Sequence, residues 1–244
     1  MNFNEINAHP RDSRLSFDPE SHTYYHGSRK LKSVTTLVEE CFPQFDAIYW
    51  AHRKAPQEGI SPQELMARWE AEAKRARDLG TAMHDKIERY YLGDDCGDDT
   101  DAFRLFRCFA AVNHLHPFRT EWRIFFEEYG IAGTLDFLER TPDGTYNIYD
   151  WKRSRKLINQ SGEVEVHSRF RKTALHPISH IEDTSYYHYA LQVSVYRYIL
   201  EQKYGIQVKG MRLGVFHPAY SGYYLVDLPY MRDEVVTILE SNIC

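Results

Sequence analysis

The chain has 244 residues, of which 43% are hydrophobic and 27% are charged. This composition supports one large or two small domains around a buried core, and it excludes a fibrous or disordered protein. Thirty Lys and Arg against thirty-five Asp and Glu give a net charge of -5, so the total charge carries no basic signature of a nucleic-acid-binding protein.

The four cysteines, Cys41, Cys96, Cys108 and Cys244, are scattered without a CxxC pair. This spacing argues against a zinc site or a disulfide scaffold. No apolar run approaches the roughly 20 residues that span a bilayer, and the first residues lack the charged and then hydrophobic pattern of a secretion signal. We therefore expect an intracellular protein, cytoplasmic or nucleoid-associated, with no membrane partner.

The N-terminal half is predicted to be mainly helical after a short β-rich start. Short β-prone pieces between residues 15 and 31 predict a small hairpin around His26-Gly27-Ser28, and Ser33 caps a predicted helix start over 33–40. The sharper signal is Ser61-Pro62-Gln63-Glu64, which places an N-cap, a first-turn proline and a capping-box glutamate ahead of a helical pattern. Gly80 is expected either to interrupt this helix or to pack closely within it before it continues to residue 91.

An acidic stretch, Gly93 to Asp101, predicts a solvated loop, and a further helix is predicted over 101–112. The loop's five aspartates equal the whole net charge of -5. The rest of the chain is therefore close to neutral.

From Thr120 the hydrophobic period changes from helical to extended. It predicts strands over 121–129, 131–140 and 145–153, and the turn signals between them indicate an antiparallel meander. A long polar segment over 154–183 follows, of a length that is usually functional or mobile. A helix over 184–204, two strands near 211–216 and 223–228 and a terminal helix complete one α/β domain with a mixed sheet.

The strongest local chemical feature is Asp150-Trp151-Lys152 at the end of the third predicted strand. Alternation places Asp150 and Lys152 on one face of that strand, and Asp136 occupies the equivalent point of the strand before it. Carboxylate oxygens suit Mg²⁺ or Mn²⁺, and an amine beside the ion can orient or deprotonate a water that attacks a phosphodiester. An ion pair on a solvated edge is the alternative that these three residues leave open.

Four further polar residues bear on this site. His84, one helical turn from Glu88, would add an imidazole ligand that broadens tolerance toward Mn²⁺, or it is an ordinary surface or capping histidine. Glu121 either contributes a carboxylate to the site or faces solvent. Gln192 and Tyr196 lie one turn apart on the late helix. They either hydrogen-bond to a bound nucleic-acid strand or to Lys152, or they line the core.

The segment that follows Lys152 is basic. From Lys152 to Lys172 it holds seven Lys and Arg residues and only two Glu. Beside a metal site such a stretch can follow phosphates without reading bases, which makes affinity salt-dependent. A solvated surface loop is the alternative.

Taken in order, these motifs resemble the RecB-like branch of the PD-(D/E)xK nuclease superfamily. They are GTxxHxxIE at 80–88, Glu121, Gly133-Thr134-Leu135-Asp136, Asp150-Trp151-Lys152 and Gln192-Val-Ser-Val-Tyr196. The resemblance covers roughly residues 80–200. Ser33-Val34-Thr35 is similar, more loosely, to the segment ahead of GTxxH in mitochondrial genome-maintenance exonucleases and related phage exonucleases.

The resemblance implies a restriction-endonuclease-like α/β core, with a mixed central sheet flanked by helices, over residues 61–244. Residues 1–60 would be a hairpin-and-helix elaboration packed on that core, and 154–183 a basic insertion. The implied activity is metal-dependent hydrolysis of DNA, foremost as an exonuclease on DNA ends or single strands. A structure-specific endonuclease and a catalytically inactive DNA-binding module of the same fold are the alternatives.

The resemblance also implies roles for individual positions. The expected ligands of Mg²⁺ or Mn²⁺ are His84, Asp136, Asp150 and the backbone carbonyl of Trp151. The expected catalytic residues are Lys152, Asp150, Asp136 and Glu121. The expected contacts to the DNA strand are Gln192, Tyr196, Arg153, Arg155 and Lys156.

No iron-sulfur cluster is expected. Family members that carry one use an upstream cysteine, a place that Cys41 could fill, and a late trio, whereas only Cys244 lies beyond Tyr196. The expected partners are DNA and proteins of replication or recombination. A phage or bacterial origin and a role in DNA repair or recombination fit these expectations.

Overall fold

The computed structural model describes residues 2–168 and 170–241. Within these residues the chain forms a mixed eight-stranded sheet flanked by helices. The strands are β1 (Leu15–Asp18), β2 (Thr23–His26), β3 (Arg29–Ser33), β4 (Pro117–Phe126), β5 (Ile131–Arg140), β6 (Tyr146–Lys152), β7 (Val208–Val215) and β8 (Tyr224–Asp227). The helices are α1 (Phe3–Ile6), α2 (Val34–Glu40), α3 (Ala47–Glu58), α4 (Pro62–Leu92), α5 (Asp101–Val112), α6 (Ser185–Lys203) and α7 (Arg232–Ser241).

This architecture confirms the predicted α/β class with a mixed sheet, and it is consistent with a restriction-endonuclease-like fold. The predicted meander is also confirmed, because β4 pairs antiparallel with β5 and β5 antiparallel with β6. Strand β5 has the predicted bounds, but β4 begins at Pro117 instead of residue 121 and ends at Phe126 instead of residue 129. The residues before 121 include polar ones such as Arg119, so the hydrophobic pattern does not indicate a strand there. They become part of β4 because they pair with residues 137–139 of β5.

Strand β5 is the centre of the arrangement that positions the site. One edge pairs with β4 along almost its whole length. Strand β3 pairs parallel with residues 131 and 132, and β6 pairs antiparallel with residues 137–140. Because a strand has only two edges, β3 and β6 share the second edge of β5. Residues 133–136, the Gly-Thr-Leu-Asp motif, lie in the gap between them.

The N-terminal strands extend the main sheet. Strands β1, β2 and β3 form an antiparallel unit, so residues 15–33 contain three strands where the sequence predicted one hairpin. The parallel pairing of β3 with β5 joins this unit to the sheet. Helix α2 then begins at the predicted cap, where Ser33 Oγ accepts a hydrogen bond from the Thr36 amide at 3.0 Å.

Helix α4 begins with the predicted capping box of Ser61 and Glu64 and runs unbroken for 31 residues. Both expectations for Gly80 were wrong, since it neither interrupts the helix nor packs closely, and a Cβ added there would meet nothing within 4 Å. The cost of about 1 kcal/mol for an interior glycine is too small to end so long a helix. Helix α3 was not anticipated, and Pro56 within it obscures the helical pattern.

In the polar segment over 154–183, the described residues are irregular, as predicted, apart from isolated bridges of Ile158 with Val164 and Thr173 with Glu182. Arg169 of this basic segment and Cys244 lie outside the described residues. The described Cys41 donates its thiol hydrogen to the Leu37 carbonyl. No helix in the described part of the chain has the length and apolar character required to cross a membrane.

Candidate metal and phosphodiester site

The backbone of Trp151 joins three elements at the gap in the sheet. Its amide donates a 2.7 Å hydrogen bond to Asp136 Oδ2 on β5. Its carbonyl accepts a 2.8 Å hydrogen bond from His84 Nε2 on α4. The carbonyl expected to bind metal is therefore used in this structure to orient the imidazole. With Nε2 donating, Nδ1 is the ring nitrogen directed at the neighbouring carboxylates.

The Trp151 side chain explains why this part of the backbone is fixed. Its ring is buried and packs among the rings of Phe106, Phe109 and Phe216. Gly214 on β7 leaves the room it needs, because a Cβ there would lie 2.7 Å from the indole. The aromatic core beneath β6 thus holds the peptide groups that orient His84 and Asp136.

His84, Glu121 and Asp136 form a group that could hold a metal ion, with one ligand atom of each within 4.8 Å of the others. His84 Nδ1 lies 3.5 Å from Glu121 Oε1 and 3.6 Å from Asp136 Oδ2. The two predicted ligands His84 and Asp136 are therefore brought together, and Glu121, whose role was open, lies beside them. We call these three residues the metal group.

Glu121 reaches this position through an unusual backbone. Its φ is +45°, a left-handed conformation within strand β4. The pairs on either side, Thr120 with Phe137 and Trp122 with Leu135, keep a single register that sets Glu121 opposite Asp136. Left-handed φ values in residues other than glycine cost of order 1 kcal/mol or more and are concentrated at functional sites.

Asp150 and Lys152 form an ion pair next to the metal group. Lys152 Nζ lies 2.7 Å from Asp150 Oδ2, and Gln192 Nε2 donates a 3.5 Å hydrogen bond to Asp150 Oδ1. The predicted placement of Asp150 and Lys152 on one face is confirmed. Asp150, expected to bind metal, is not a member of the metal group, and both of its oxygens have protein neighbours.

The ionisable groups of the site shift one another's pKa values. Burial opposes the charged form of His84, but Asp136 and Glu121 outweigh it and raise the His84 pKa to about 9. Burial raises the pKa of Asp136, and Glu121 adds to that effect. Burial, together with Asp136, raises the pKa of Asp150 to about 6. Burial would lower the pKa of Lys152, but Asp150 and Asp136 outweigh it and raise that pKa. Two buried carboxylates beside Glu121 are a local excess of negative charge that a cation would relieve.

Helix α6 forms one wall of the site. Tyr196 is buried, and Gln192 Nε2 donates a 3.3 Å hydrogen bond to its hydroxyl. The ring lies against Gly133, where a Cβ would come within 2.6 Å of Tyr196 Cε1. Glycine in the Gly-Thr-Leu-Asp motif is thus explained by the close approach of α6. Gln192 and Tyr196 support Asp150 and the core, and both also line the cleft.

The site lies in an open cleft of about 770 Å³. Of the predicted phosphate-binding residues, Arg153 lines this cleft, whereas Arg155 and Lys156 line a separate groove beside the start of α6. The sequence assigns no role to the cleft residue Arg123, whereas Tyr189, which also lines the cleft, belongs to a group of tyrosines within 186–189 that the sequence offers either for stacking on unpaired bases or for the core. Tyr189 lies one turn before Gln192 on the face of α6 that meets the site, and Lys152 Nζ is 4.7 Å from the centre of its ring.

Comparisons with known proteins add little. No family model and no curated protein matches the chain. Among solved structures, the crystal structure of SSO0001 is similar at 14% identity, with 87% of this chain and 74% of that chain covered and a TM-score of 0.36. At that level of similarity it assigns neither a fold nor a function to this chain.

Proposed function

We propose that this protein is a metal-dependent DNA nuclease that hydrolyses phosphodiester bonds, acting as an exonuclease on DNA ends or single strands. One observation supports the proposal most directly. The metal group of His84, Glu121 and Asp136 shares one cleft with Lys152, whose ammonium is paired with the buried Asp150. Divalent-metal phosphodiester hydrolysis needs such a combination of acidic ligands and a polar group for the attacking water.

The donor set fits a hard divalent cation. Two carboxylates and an imidazole suit Mg²⁺ or Mn²⁺, and the nitrogen donor favours tolerance of Mn²⁺. Asp136, Glu121 and His84 would hold the ion, with Asp150 supplying charge from behind. A bound cation would offset the negative charge that develops on the phosphate during hydrolysis.

The role of Lys152 follows from its surroundings. Its ammonium group is paired with Asp150 at 2.7 Å and lies over the Tyr189 ring. An ammonium held in one position donates hydrogen bonds to oxygen, so Lys152 would orient the attacking water or a phosphate oxygen. Gln192, which also bonds Asp150, would keep the pair aligned with the cleft.

Three arginines on different elements support a polyanionic substrate. Arg77 of α4, Arg123 of β4 and Arg153 after β6 all line the cleft. Their positive charge surrounds a pocket whose floor is acidic, an arrangement suited to phosphates on either side of a metal ion. The net charge of -5 therefore does not describe the surface that the substrate would meet.

The test is a digestion series on 5'- and 3'-labelled single-stranded and double-stranded DNA with Mg²⁺, Mn²⁺ or EDTA. The native chain should release labelled products with either metal and none in EDTA, and Asp136→Asn should release none. Absence of cleavage by the native chain on every substrate would overturn the proposal and favour a DNA-binding module of the same fold.

A covalently closed single-stranded circle separates the two nuclease classes. An exonuclease should leave the circle intact while degrading the same strand after it is linearised. Cutting of the circle would replace the exonuclease assignment with the endonuclease alternative. The linear strand serves as the matched control because it differs only in having ends.

A further inference from the structure

The N-terminal strands supply one wall of the cleft that holds the metal group. Phe17 of β1, His22 of the turn that follows it and Tyr24 of β2 line that cleft. These residues belong to a part of the chain to which the sequence assigned only packing. Their rings are in contact, with centroids of Phe17 and His22 5.1 Å apart and those of Phe17 and Tyr24 4.7 Å apart.

A side-chain hydrogen bond ties this wall to strand β5 close to the metal group. The Tyr24 hydroxyl lies 2.9 Å from Thr134 Oγ1 on β5, and Thr134 is two residues before Asp136. Thr134 pairs across the sheet with Arg123 of β4. The guanidinium of Arg123 in turn lies 4.8 Å over the ring of Phe17. Phe17, Tyr24, Thr134 and Arg123 therefore form a closed ring of contacts beside the metal group.

The pKa of Tyr24 also reflects how close this residue lies to the carboxylates of the metal group. Burial raises the pKa of its phenol, and the charges of Glu121 and Asp136 raise it further. Tyr24 is buried, and Phe17 is half-buried against the core of Leu31 and Phe125. These two rings form the fixed base of the wall.

The exposed part of the wall consists of flat groups. His22 is exposed, and its φ of +49° is a left-handed conformation that turns the chain between β1 and β2. The planar guanidinium of Arg123 lies over an aromatic ring and faces the cleft. Imidazole and guanidinium planes are surfaces on which unpaired bases stack, whereas bases inside a duplex are already stacked on each other.

We propose that His22 and Arg123, supported by Phe17 and Tyr24, form a platform on which an unpaired base stacks while its backbone lies at the metal group. The inference rests on the proposed nuclease function and specifies its substrate as a single strand or an unpaired end. The N-terminal strands are thus part of substrate recognition. Arg123 contributes a plane as well as a charge, so lysine does not replace it.

The test compares two labelled strands of equal length, one with normal bases and one with abasic sites near the end. Both carry the same phosphates, but only the first offers a base to stack. The native chain should favour the normal strand by roughly 5- to 150-fold in kcat/KM, the range expected for one stacked base. His22→Asn, which keeps a residue tolerant of left-handed φ, and Arg123→Lys, which keeps the charge, should both reduce that ratio toward one.

Matched controls are His52→Asn on α3 and Arg104→Lys on α5, exposed residues outside the cleft that should leave the ratio unchanged. A native ratio near one, or variants that keep the native ratio, would overturn the platform. Fluorescence anisotropy measures the binding affinities for the same two strands, and their quotient gives a second ratio that does not depend on cleavage. If the native chain hydrolyses neither strand, the nuclease proposal fails, and the anisotropy ratio still decides whether the platform exists.

Discussion

Lys152 Nζ lies 2.7 Å from Oδ2 of Asp150, a carboxylate that is almost completely buried. The two residues are two positions apart on β6, so the alternation of side chains along the strand puts them on the same face. Gln192 approaches the other carboxylate oxygen from helix α6. Asp150 therefore links the end of strand β6 to helix α6, which forms one wall of the cleft.

The first prediction concerns Lys152. Lys152→Ala should reduce DNA cleavage in Mg²⁺ by roughly 100-fold or more, because a positioned proton-transfer or hydrogen-bonding group contributes about that much. DNA binding should be largely retained, since the arginines of the cleft remain. Cleavage is measured on labelled DNA and binding by anisotropy.

Two further variants support the Lys152 result. Lys152→Met keeps the apolar stem and so separates loss of the ammonium group from loss of packing. Circular dichroism of both variants checks that the chain stays folded when Asp150 is buried without its cation. Lys209→Ala, at an exposed lysine of β7, should cleave DNA as the native chain does. Native rates of cleavage in Lys152→Ala would contradict the assigned role.

The second prediction concerns metal binding. Calorimetric titration with Mn²⁺ should show binding to the native chain, and Asp136→Asn should weaken it by roughly tenfold or more, because a charged ligand is lost. Glu88→Gln is the matched control, one turn from His84 on α4 but outside the metal group. Equal titrations of the native chain and Asp136→Asn would show that this group does not hold the ion.

The third prediction concerns the left-handed backbone of Glu121. Glu121→Gly should be more stable than Glu121→Ala by about 1 kcal/mol, because glycine adopts this φ without steric cost. Both variants should lose metal affinity. Denaturant unfolding gives the stabilities.

The same pair of substitutions at Lys209, within β7, is the control for Glu121. Glycine in an ordinary strand is destabilising, so Lys209→Gly should be less stable than Lys209→Ala by about 0.5–1 kcal/mol. If the order at Glu121 matches that at Lys209, the backbone at Glu121 is not strained.

The fourth prediction concerns Glu127, which follows β4 and is paired with Arg11 and Arg14. Burial opposes its charge, but the hydrogen bonds from Arg11 outweigh burial and lower the Glu127 pKa to about 2. A carboxyl whose folded pKa lies below its unfolded value of about 4.3 stabilises the fold above that value. This stabilisation is lost as the pH falls toward 2.

Glu127→Gln should therefore lower the free energy of unfolding by about 1–3 kcal/mol at pH 7. The difference from the native chain should shrink between pH 4.5 and pH 2. Glu20→Gln, at an exposed residue of the turn between β1 and β2, should change the free energy of unfolding by less than about 0.5 kcal/mol throughout. A Glu127 effect that does not vary with pH would contradict the ion-pair explanation.

The fifth prediction concerns salt. DNA binding should be weak in EDTA, because the carboxylates of the cleft repel phosphate, and should strengthen with divalent ions. With ions present, affinity should fall steeply as salt rises, and Arg153→Ala should reduce the logarithmic slope by about 0.7–1 for one lost phosphate contact. Tight, salt-insensitive binding in EDTA would exclude this mode of recognition.

Local signals in the sequence predicted most of the regular elements. Side-chain caps at Ser33 and Ser61 and the periodicity over 101–112, 131–140 and 184–204 identified helices and strands close to their observed bounds. These features depend on residues a few positions apart, so the linear order of amino acids contains them. Helix α3 and the start of β4 depend on distant packing and pairing and were missed or misplaced.

The sequence by itself determined that Asp150 and Lys152 share a face, because side chains alternate along any strand, and it placed His84 and Asp136 among the candidate ligands. Only the tertiary structure decided that β3 and β6 divide one edge of β5, that His84 reaches the Trp151 carbonyl, and that Asp150 lies beside the metal group without joining it. It also decided that the N-terminal strands form a wall of the cleft. Pairing between segments a hundred residues apart is set by the packing of the whole core, and no local period in the sequence encodes it.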